Sequence, residues 1–334
     1  MQSNNIHLVK AAFHTQFKTA MECLGFPADL YFKKVNLPIE ISNPESLLPL
    51  KPFYQLINTV AINENFSGFG AYVAQLTPWH KVASLGPLIK SSNNLKELLL
   101  TFCKVASGQS SPVVFSLVDE GSHSSFTYAN TLIYKREIQM ELYRISSMIQ
   151  LIQLAASAGW RPDSIRLIMP ENEAVNACPL FLESEILFSQ GESAITFPNN
   201  FLKFPVHIDI PENIDLDRNA LADTNIKFSK SIQQIIDTYV IAENNHIEDI
   251  ARAADLSVRT LQRRLAQCDL SFKELMNQAK FSHAKEKLQD ENLSITKIAK
   301  SMNYSDAAHF SRAFHQWSGV SPTDYKKTLA ESRK

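Results

Sequence analysis

Ile247-Glu248-Asp249-Ile250-Ala251, then Leu256-Ser257, then Arg259-Thr260-Leu261-Gln262-Arg263-Arg264-Leu265 is a pattern that the chain uses twice. The second copy reads Ile295-Thr296-Lys297-Ile298-Ala299, then Tyr304-Ser305, then His309-Phe310-Ser311-Arg312-Ala313-Phe314. Apolar residues recur at helical spacing on either side of a short polar gap, so each copy predicts a helix, a tight turn and a second helix. Ala251 and Ala299 stand where the paired helices must approach. Ile247, Ile250, Leu261 and Leu265 in one copy, and Ile295, Ile298, Phe310 and Phe314 in the other, form the shared apolar face. Asp255 and Asn303 occupy the turn and are non-glycine types that enter the left-handed region at low cost. Ser257 and Ser305 are read as N-caps of the second helices. The offset is 48 residues from Ile250 to Ile298 and 49 from Leu265 to Phe314, so the copies differ by one inserted residue. Two copies are too few for a solenoid.

Between the copies, Ser271-Phe272-Lys273-Glu274 is a capping-box pattern that opens a helix running to Leu288. A helix of about 17 residues is a rod of roughly 25 Å. With the half-width of each unit added, it could hold two reading helices near the ~34 Å between successive major-groove faces. Ser321-Pro322-Thr323-Asp324 predicts a closing helix with Pro at its first position, through Tyr325 and Lys327. Charge supports a DNA partner through placement, not amount. From 228 to 334 there are 16 Lys+Arg against 13 Asp+Glu, in a chain whose formal net charge is −1. Yet Ser257 to Gln267 holds Arg259, Arg263 and Arg264 and no acid, a stripe suited to phosphates and guanine edges.

At 334 residues the chain exceeds the usual size of a single core. The division reads as a front domain over 1–205, a linker over 206–227 that follows Pro205 and contains Pro211, and a tandem helix-turn-helix domain over 228–334, opening with a helix from Phe228 to Glu243. The front domain predicts helices over Ile6–Leu24 (ended by Gly25), Leu50–Ile62 and Leu95–Ala106. A hairpin of Val113–Val118 and Ser124–Leu132 follows, turned by Asp119-Glu120-Gly121. A long helix comes next, Arg136–Ala158, apolar along Met140, Ile145, Met148, Ile149 and Ile152 and stopped by Gly159. Strands fit Ser164–Met169, Ile186–Phe188 and Ala194–Phe197. The expected fold is an α+β domain followed by an all-α domain with two helix-turn-helix units joined by a linker helix.

The second copy, with Ile298-Ala299, Tyr304-Ser305-Asp306, His309-Phe310-Ser311-Arg312-Ala313-Phe314, Trp317 and Gly319-Val320-Ser321-Pro322-Thr323-Asp324-Tyr325, resembles the signature of the AraC/XylS family of bacterial transcription regulators. Ser257 to Leu265 and Ser271-Phe272 in the first copy agree with it. Asp255, Asp269 and Asn303 depart from it, standing where that family usually has Gly. The front half resembles the arabinose-binding type of sensor domain in one branch of the family, through Leu85-Gly86-Pro87, Ser91 to Leu99, Trp160-Arg161-Pro162, Ile165-Arg166-Leu167, Ile186 to Phe188 and Ala194 to Pro198. That name does not fix a sugar as the ligand, since regulators with this type of domain are linked to varied small molecules.

The resemblance implies that Arg259, Thr260, Gln262 and Arg263 in the first copy, and Asp306, Ala308, His309 and Arg312 in the second, face double-stranded promoter DNA. The chemistry agrees, because Arg suits guanine and Gln suits adenine. Lys280, Lys285, Lys297 and Lys300 are read as phosphate contacts or solubility. A small-molecule effector, RNA polymerase and a second copy of the chain are the other expected partners. For the effector pocket, Trp79, Phe126, Tyr128, Arg144 and Trp160 are the candidates, from a wider set with His80, Phe115, Arg136 and Tyr143. Arg144 is expected to pair a carboxylate of an acidic or amphipathic metabolite held between the long helix and the hairpin.

Met1 to Ile6 is polar and no apolar run approaches the ~18 residues of a membrane span, so a cytoplasmic protein is expected. Cys23, Cys103, Cys178 and Cys268 are scattered and read as buried reduced thiols. No cofactor and no metal is expected. Two rival readings stay open, a catalytic front domain and an architectural DNA binder without an effector. Against the first, the front half lacks a phosphate-cradling glycine loop, H-E-x-x-H and G-x-S-x-G. Against the second, such binders usually carry more net positive charge.

Overall fold

The computed structural model describes residues 6–41, 43–78, 92–106, 113–130, 137–206, 228–240, 245–290 and 292–331. They form two compact units. The larger is built from the described residues of His7–Glu45 and Leu50–Asn225, the smaller from those of Ser46–Pro49 and Ile226–Lys334 together with Ile6. The expected linker, 206–227, lies almost wholly outside the described residues.

In the larger unit a short strand, β1 (Leu8–Lys10), leads into helix α1 (Ala11–Cys23), which begins later than its periodicity implied. Gly25 ends it with φ 73°, and Phe26 N–H bonds back to Met21 O at 2.8 Å. Helices α2 (Ala28–Lys34), α3 (Leu50–Asn63), α4 (Phe69–Leu76) and α5 (Leu95–Ala106) follow. Of these, α2 and α4 were not anticipated. Strand β2 (Leu47–Pro49) precedes α3 and belongs to the smaller unit.

Strands β3 (Val113–Asp119) and β4 (His123–Asn130) make the expected antiparallel hairpin. Gly121 stands at φ 89° in its turn and its N–H donates to Asp119 Oδ1 at 2.9 Å. A five-stranded sheet forms in the order β3-β4-β7-β5-β6, where β5 is Ser164–Arg166, β6 is Glu185–Leu187 and β7 is Ser193–Pro198. All pairings are antiparallel except β5 with β6.

The long helix, α6, spans Ile138–Gln153 and is shorter than expected. Its end tightens through Leu154 N–H to Leu151 O, and the Gln153 side chain then bonds to Ala158 O and Trp160 O. Every residue from Gln139 to Ile149 is buried, so this is a helix enclosed all round and not an amphipathic one. Two of its long polar side chains find partners inside the protein, while the hydroxyls of Ser146 and Ser147 have none among the described residues. Gln139 donates to Ser67 O and accepts from Gly70 N–H. Glu141 accepts from Ile168 N–H, Met169 N–H and the Ser193 hydroxyl. That grip draws Ile168 and Met169 away from the ladder, which explains why β5 stops at Arg166.

The smaller unit is helical apart from β2: α7 (Phe228–Tyr239), α8 (Ile247–Ala253), α9 (Val258–Ala266), α10 (Phe272–Leu288), α11 (Ile295–Ser301), α12 (Ala307–Ser318) and α13 (Pro322–Glu331). Asp255, Asp269 and Asn303 stand at φ 56°, 55° and 58°. Each is followed by a residue whose N–H reaches five positions back: Leu256 to Ala251 O, Leu270 to Leu265 O and Tyr304 to Ala299 O. The three turns share one left-handed helix-ending geometry, kept without glycine because Asp and Asn tolerate it. Ser271 and Glu274 cap α10 reciprocally, with Glu274 N–H to Ser271 Oγ at 3.2 Å and Ser271 N–H to Glu274 Oε2 at 2.9 Å. Ser321 accepts from Asp324 N–H at the start of α13, as the sequence pattern implied. Around the second copy, Ala284, Leu288, Ile298, Ala299, Met302, Phe310 and Phe314 form a separate buried cluster. An α+β unit precedes a helical one with two helix-turn-helix units on a connecting helix, as expected.

Candidate nucleic-acid interface and ligand cavity

In the first copy Leu261 and Leu265 are fully buried and pin α9 down. Arg259, Gln262 and Arg263 follow the spacing i, i+3, i+4, share one face, and are all exposed. Ser257 caps the helix, accepting from Thr260 N–H at 3.2 Å, while its hydroxyl lies 2.9 Å from that of half-buried Thr260. Arg264 does not join the exposed stripe. Its guanidinium sits over the Phe228 ring of α7, 5.2 Å from the centroid, where it fastens α9 within the unit. Losing the cap through Ser257→Ala is expected to cost about 1 kcal/mol of stability, read as a lower urea midpoint at unchanged slope. An unchanged midpoint would show that water replaces the hydroxyl without loss.

The second copy is capped differently from the expectation. Asp306, not Ser305, is the N-cap of α12, and its Oδ1 accepts from His309 N–H at 2.7 Å. The inserted residue that lengthens the offset from 48 to 49 falls between the turn and the cap, so Asp306 is the equivalent of Ser257. That signal was present in the numbering. Ser305 instead donates to Asp306 Oδ2 at 3.2 Å. Ser305 Oγ also lies 2.9 Å from His309 Nδ1. The backbone N–H of His309 holds the Asp306 carboxyl below its ordinary range. Ala308, His309 and Arg312 are exposed beside it. Lys297 and Lys300 are exposed, whereas Lys280 lies over the Tyr304 ring at 6.0 Å and Lys285 over Phe281 at 4.8 Å.

In the larger unit a cavity of about 470 Å³ opens between α6, strand β4 and the segments 168–170 and 189–190. Of the pocket candidates it brings together Tyr128 and Arg144. Phe126 is fully buried in a ring cluster with Phe102 and Phe115, at 5.8 and 5.9 Å, and does not line it. Trp160 is half-buried against Phe197 and Phe201. Tyr143 is also core, its hydroxyl donating to Gln16 Oε1 at 2.6 Å. Trp79, His80 and Arg136 lie outside the described residues. Sequence reading missed Asn130, Glu137, Glu141, Ser189 and Gln190, which line the cavity from segments with no common spacing.

Arg144 is buried, donates to the Tyr54 hydroxyl, and has the rings of Tyr54 and Tyr128 each 5.5 Å from its guanidinium carbon. The tyrosines and Glu137 keep it firmly cationic, overcoming its own desolvation. Burial pushes the Glu137 carboxyl up to about 8, although Arg144 opposes this. Burial raises Glu141 as well, offset by its three donors.

The cysteines depart from the expectation of buried thiols. Cys178 is buried and Cys103 half-buried, but Cys23 and Cys268 are exposed, and all four are free. Cys23 is the last residue of α1 and Cys268 lies just past the end of α9, where the helix ends leave them open to solvent. Among the described residues, no three His, Cys, Asp or Glu side chains converge as a metal set, and no helix is long and apolar enough to cross a membrane.

Comparison with known proteins agrees with this anatomy. A family described as the arabinose-binding domain of the AraC transcription regulator, N-terminal, matches residues 25–206, and a helix-turn-helix domain family matches residues 250–328. The chain is 23% identical over 146 residues to the ornithine utilization regulator of Pseudomonas aeruginosa, covering 42% of this chain and 43% of that one. It is 34% identical over 79 residues to an HTH-type transcriptional regulator of Mycobacterium tuberculosis, covering 24% and 23% respectively. These matched stretches span less than half the length of the curated relatives. Among solved structures, the transcriptional regulator CdpR from Pseudomonas aeruginosa is similar at 15% identity and a TM-score of 0.41, covering 95% of this chain and 98% of that one. Since the sensor-domain match alone extends over more than half of its length, the chain belongs to the AraC family of transcription regulators.

Proposed function

We propose that this protein binds double-stranded DNA sequence-specifically, setting α9 and α12 into adjacent major grooves, and that a small molecule in the N-terminal cavity controls transcription through it. The observation that carries the reading is the exposure of Arg259, Gln262, Arg263, His309 and Arg312 on two helices fixed to one 17-residue connecting helix. A helix of that length is a rod of roughly 25 Å, the right order for a groove repeat of ~34 Å once the units' own widths are added. Thr260 and Asp306 are engaged in capping, so they position their helices, and Ala308 leaves room for a base edge. The division into sensor 1–205, linker 206–227 and reader 228–334 is part of this proposal. So are RNA polymerase as a partner, pairing of two copies, a cytoplasmic setting, and a ligand returned unchanged and not turned over. The relatives' names do not choose the effector, since one refers to ornithine and another, from Pediococcus pentosaceus, to raffinose.

The test is selection of duplexes from a random pool by the full chain, followed by anisotropy titration. A sequence preference over scrambled competitor at moderate ionic strength is expected, and its absence overturns the reading. Arg263→Ala is expected to weaken the selected site by about 1–3 kcal/mol and relax one base position, while truncating a phosphate-contacting Lys lowers affinity for all sequences alike. Unchanged affinity and unchanged preference would remove Arg263 from the readout. Effector control of this kind commonly amounts to about 1–3 kcal/mol of coupling between sites.

A further inference from the structure

We propose that the cavity between α6 and β4 takes a ligand bearing a protonated amine, with the ammonium seated on the Glu137 carboxylate. The inference rests on the effector-binding role proposed above and narrows its chemistry. At about 470 Å³ the cavity is within the ~300–1,000 Å³ of small-molecule sites. Among the described residues three charged side chains line it, and two have their needs met by the protein.

Glu141 accepts from Ile168 N–H at 2.8 Å, Met169 N–H at 3.2 Å and the Ser193 hydroxyl at 2.5 Å, which occupies both of its oxygens. Arg144 donates to the Tyr54 hydroxyl and lies against two aromatic faces. Glu137 is different. It stands at the N-cap of α6, yet its side chain makes no capping bond, and its Oε2 is buried with no hydrogen-bond partner among the described residues. A buried carboxylate oxygen without a donor is unfavourable, and the charge of Arg144 acts on Glu137 without hydrogen-bonding to that oxygen. An ammonium brings a full positive charge and three N–H donors.

The alternatives fit less well. A ligand carboxylate would stand beside Glu137 and Glu141 with Arg144 alone in its favour, and Arg144 is already enclosed. This is why the acidic ligand expected from Arg144 in the sequence gives way to a cationic one. A neutral hydroxyl would donate one hydrogen bond and bring no charge, against three donors and a full charge from an ammonium. Ile168, Met169 and Pro170 supply an apolar wall for the rest of the molecule, so an amine carrying a hydrocarbon body suits the site better than a polyamine.

Calorimetric titration of the full chain with three matched sets tests this: benzylamine, benzoate and benzyl alcohol; hexylamine, hexanoate and hexanol; butylamine, butyrate and butanol. The amines are expected to bind at least tenfold more tightly than their counterparts, and Glu137→Gln is expected to weaken them at least tenfold while leaving thermal unfolding intact. Amine affinity is also expected to rise between pH 6 and 8.5 in the wild type. Glu137 must ionise to receive the cation, and among the described residues the charged or titratable groups facing it are Arg144 and Glu141 from its own helix and Tyr128 from β4. The Glu137→Gln profile is expected to be flat. Amine binding that survives Glu137→Gln unchanged overturns the assignment. Carboxylates or alcohols that bind as well as amines overturn it too, but leave the effector-binding role standing. If no compound binds at millimolar concentration, the amine assignment falls and the effector-binding role stands.

Discussion

Gly70→Ala is expected to destabilise the larger unit by about 3 kcal/mol or more, at or above the top of the usual range for overpacking. The cause is the approach of α4 to the first turn of α6. A Cβ at position 70 would lie 1.8 Å from Gln139 O, 2.7 Å from its carbonyl carbon and 3.1 Å from its Cα. All three are backbone atoms of a helix buried on every side, so none can swing aside as the end of a side chain would. The contact is further fixed by Gly70 N–H to Gln139 Oε1 at 2.9 Å and Gln139 Nε2 to Ser67 O at 2.8 Å. Gln139 lies between Glu137 and Glu141, so moving it shifts the cavity wall. Urea unfolding of the full chain should show the transition of the larger unit at a lower midpoint, with amine binding weakened in parallel. Gly159→Ala is the control: its added Cβ meets nothing within 4 Å, and a change within about 0.5 kcal/mol is expected. Equal midpoints for the two variants would mean that α4 and α6 do not meet backbone to backbone.

Nothing around Gly70 announces that contact in the sequence. Taken locally, Gly68 and Gly70 argue against a helix, which is why α4 went unanticipated. The helix-turn-helix half was legible because its determinants are local. Asp255, Asp269 and Asn303 adopt the left-handed turn on the strength of their own side-chain types, and Ser271 with Glu274 closes a box within four residues. Even the misassigned cap at Ser305 is a local matter, resolved by following the one-residue insertion through to Asp306. The front half was legible in element order but not in its site. Apolar periodicity identified one face of α6, whereas Gln139, Glu141 and Arg144 are accommodated by partners from Tyr54, Ser67, Ile168 and Ser193, which no spacing along the chain connects. Aromatic identity likewise could not separate Tyr128, which lines the cavity, from Phe126, which packs against the rings of Phe102 and Phe115. The cavity is a property of the tertiary arrangement, and its most informative group, Glu137, looks in the sequence like any surface acid at a helix start.

Phe314→Ala is expected to cost about 3–5 kcal/mol and to act on one reading unit alone. Phe314 is fully buried, with ring centroids 5.5 Å from Phe281, 5.9 Å from Phe310, 6.5 Å from Trp317 and 5.4 Å from Tyr325. It thereby ties α12 to the connecting helix α10 and the closing helix α13 at once. A native domain commonly has about 5–15 kcal/mol in total, so this loss approaches what holds α12 in place. Leu261 and Leu265 of the first copy are not members of the cluster around Phe314, and the damage should stop short of them. Amide exchange in Ala307–Ser318 is expected to accelerate about a hundredfold or more, since each ~1.4 kcal/mol is a factor of ten, with much smaller changes in Val258–Ala266. On the selected duplex, the variant should keep its preference in the half-site proposed for Arg259, Gln262 and Arg263 and lose it in the half proposed for His309 and Arg312. Phe314→Leu, which keeps most of the volume, should recover much of both. If exchange slows or speeds equally in the two helices, the copies do not have separate cores. If both half-sites are lost together while only α12 is loosened, recognition requires simultaneous seating of the pair.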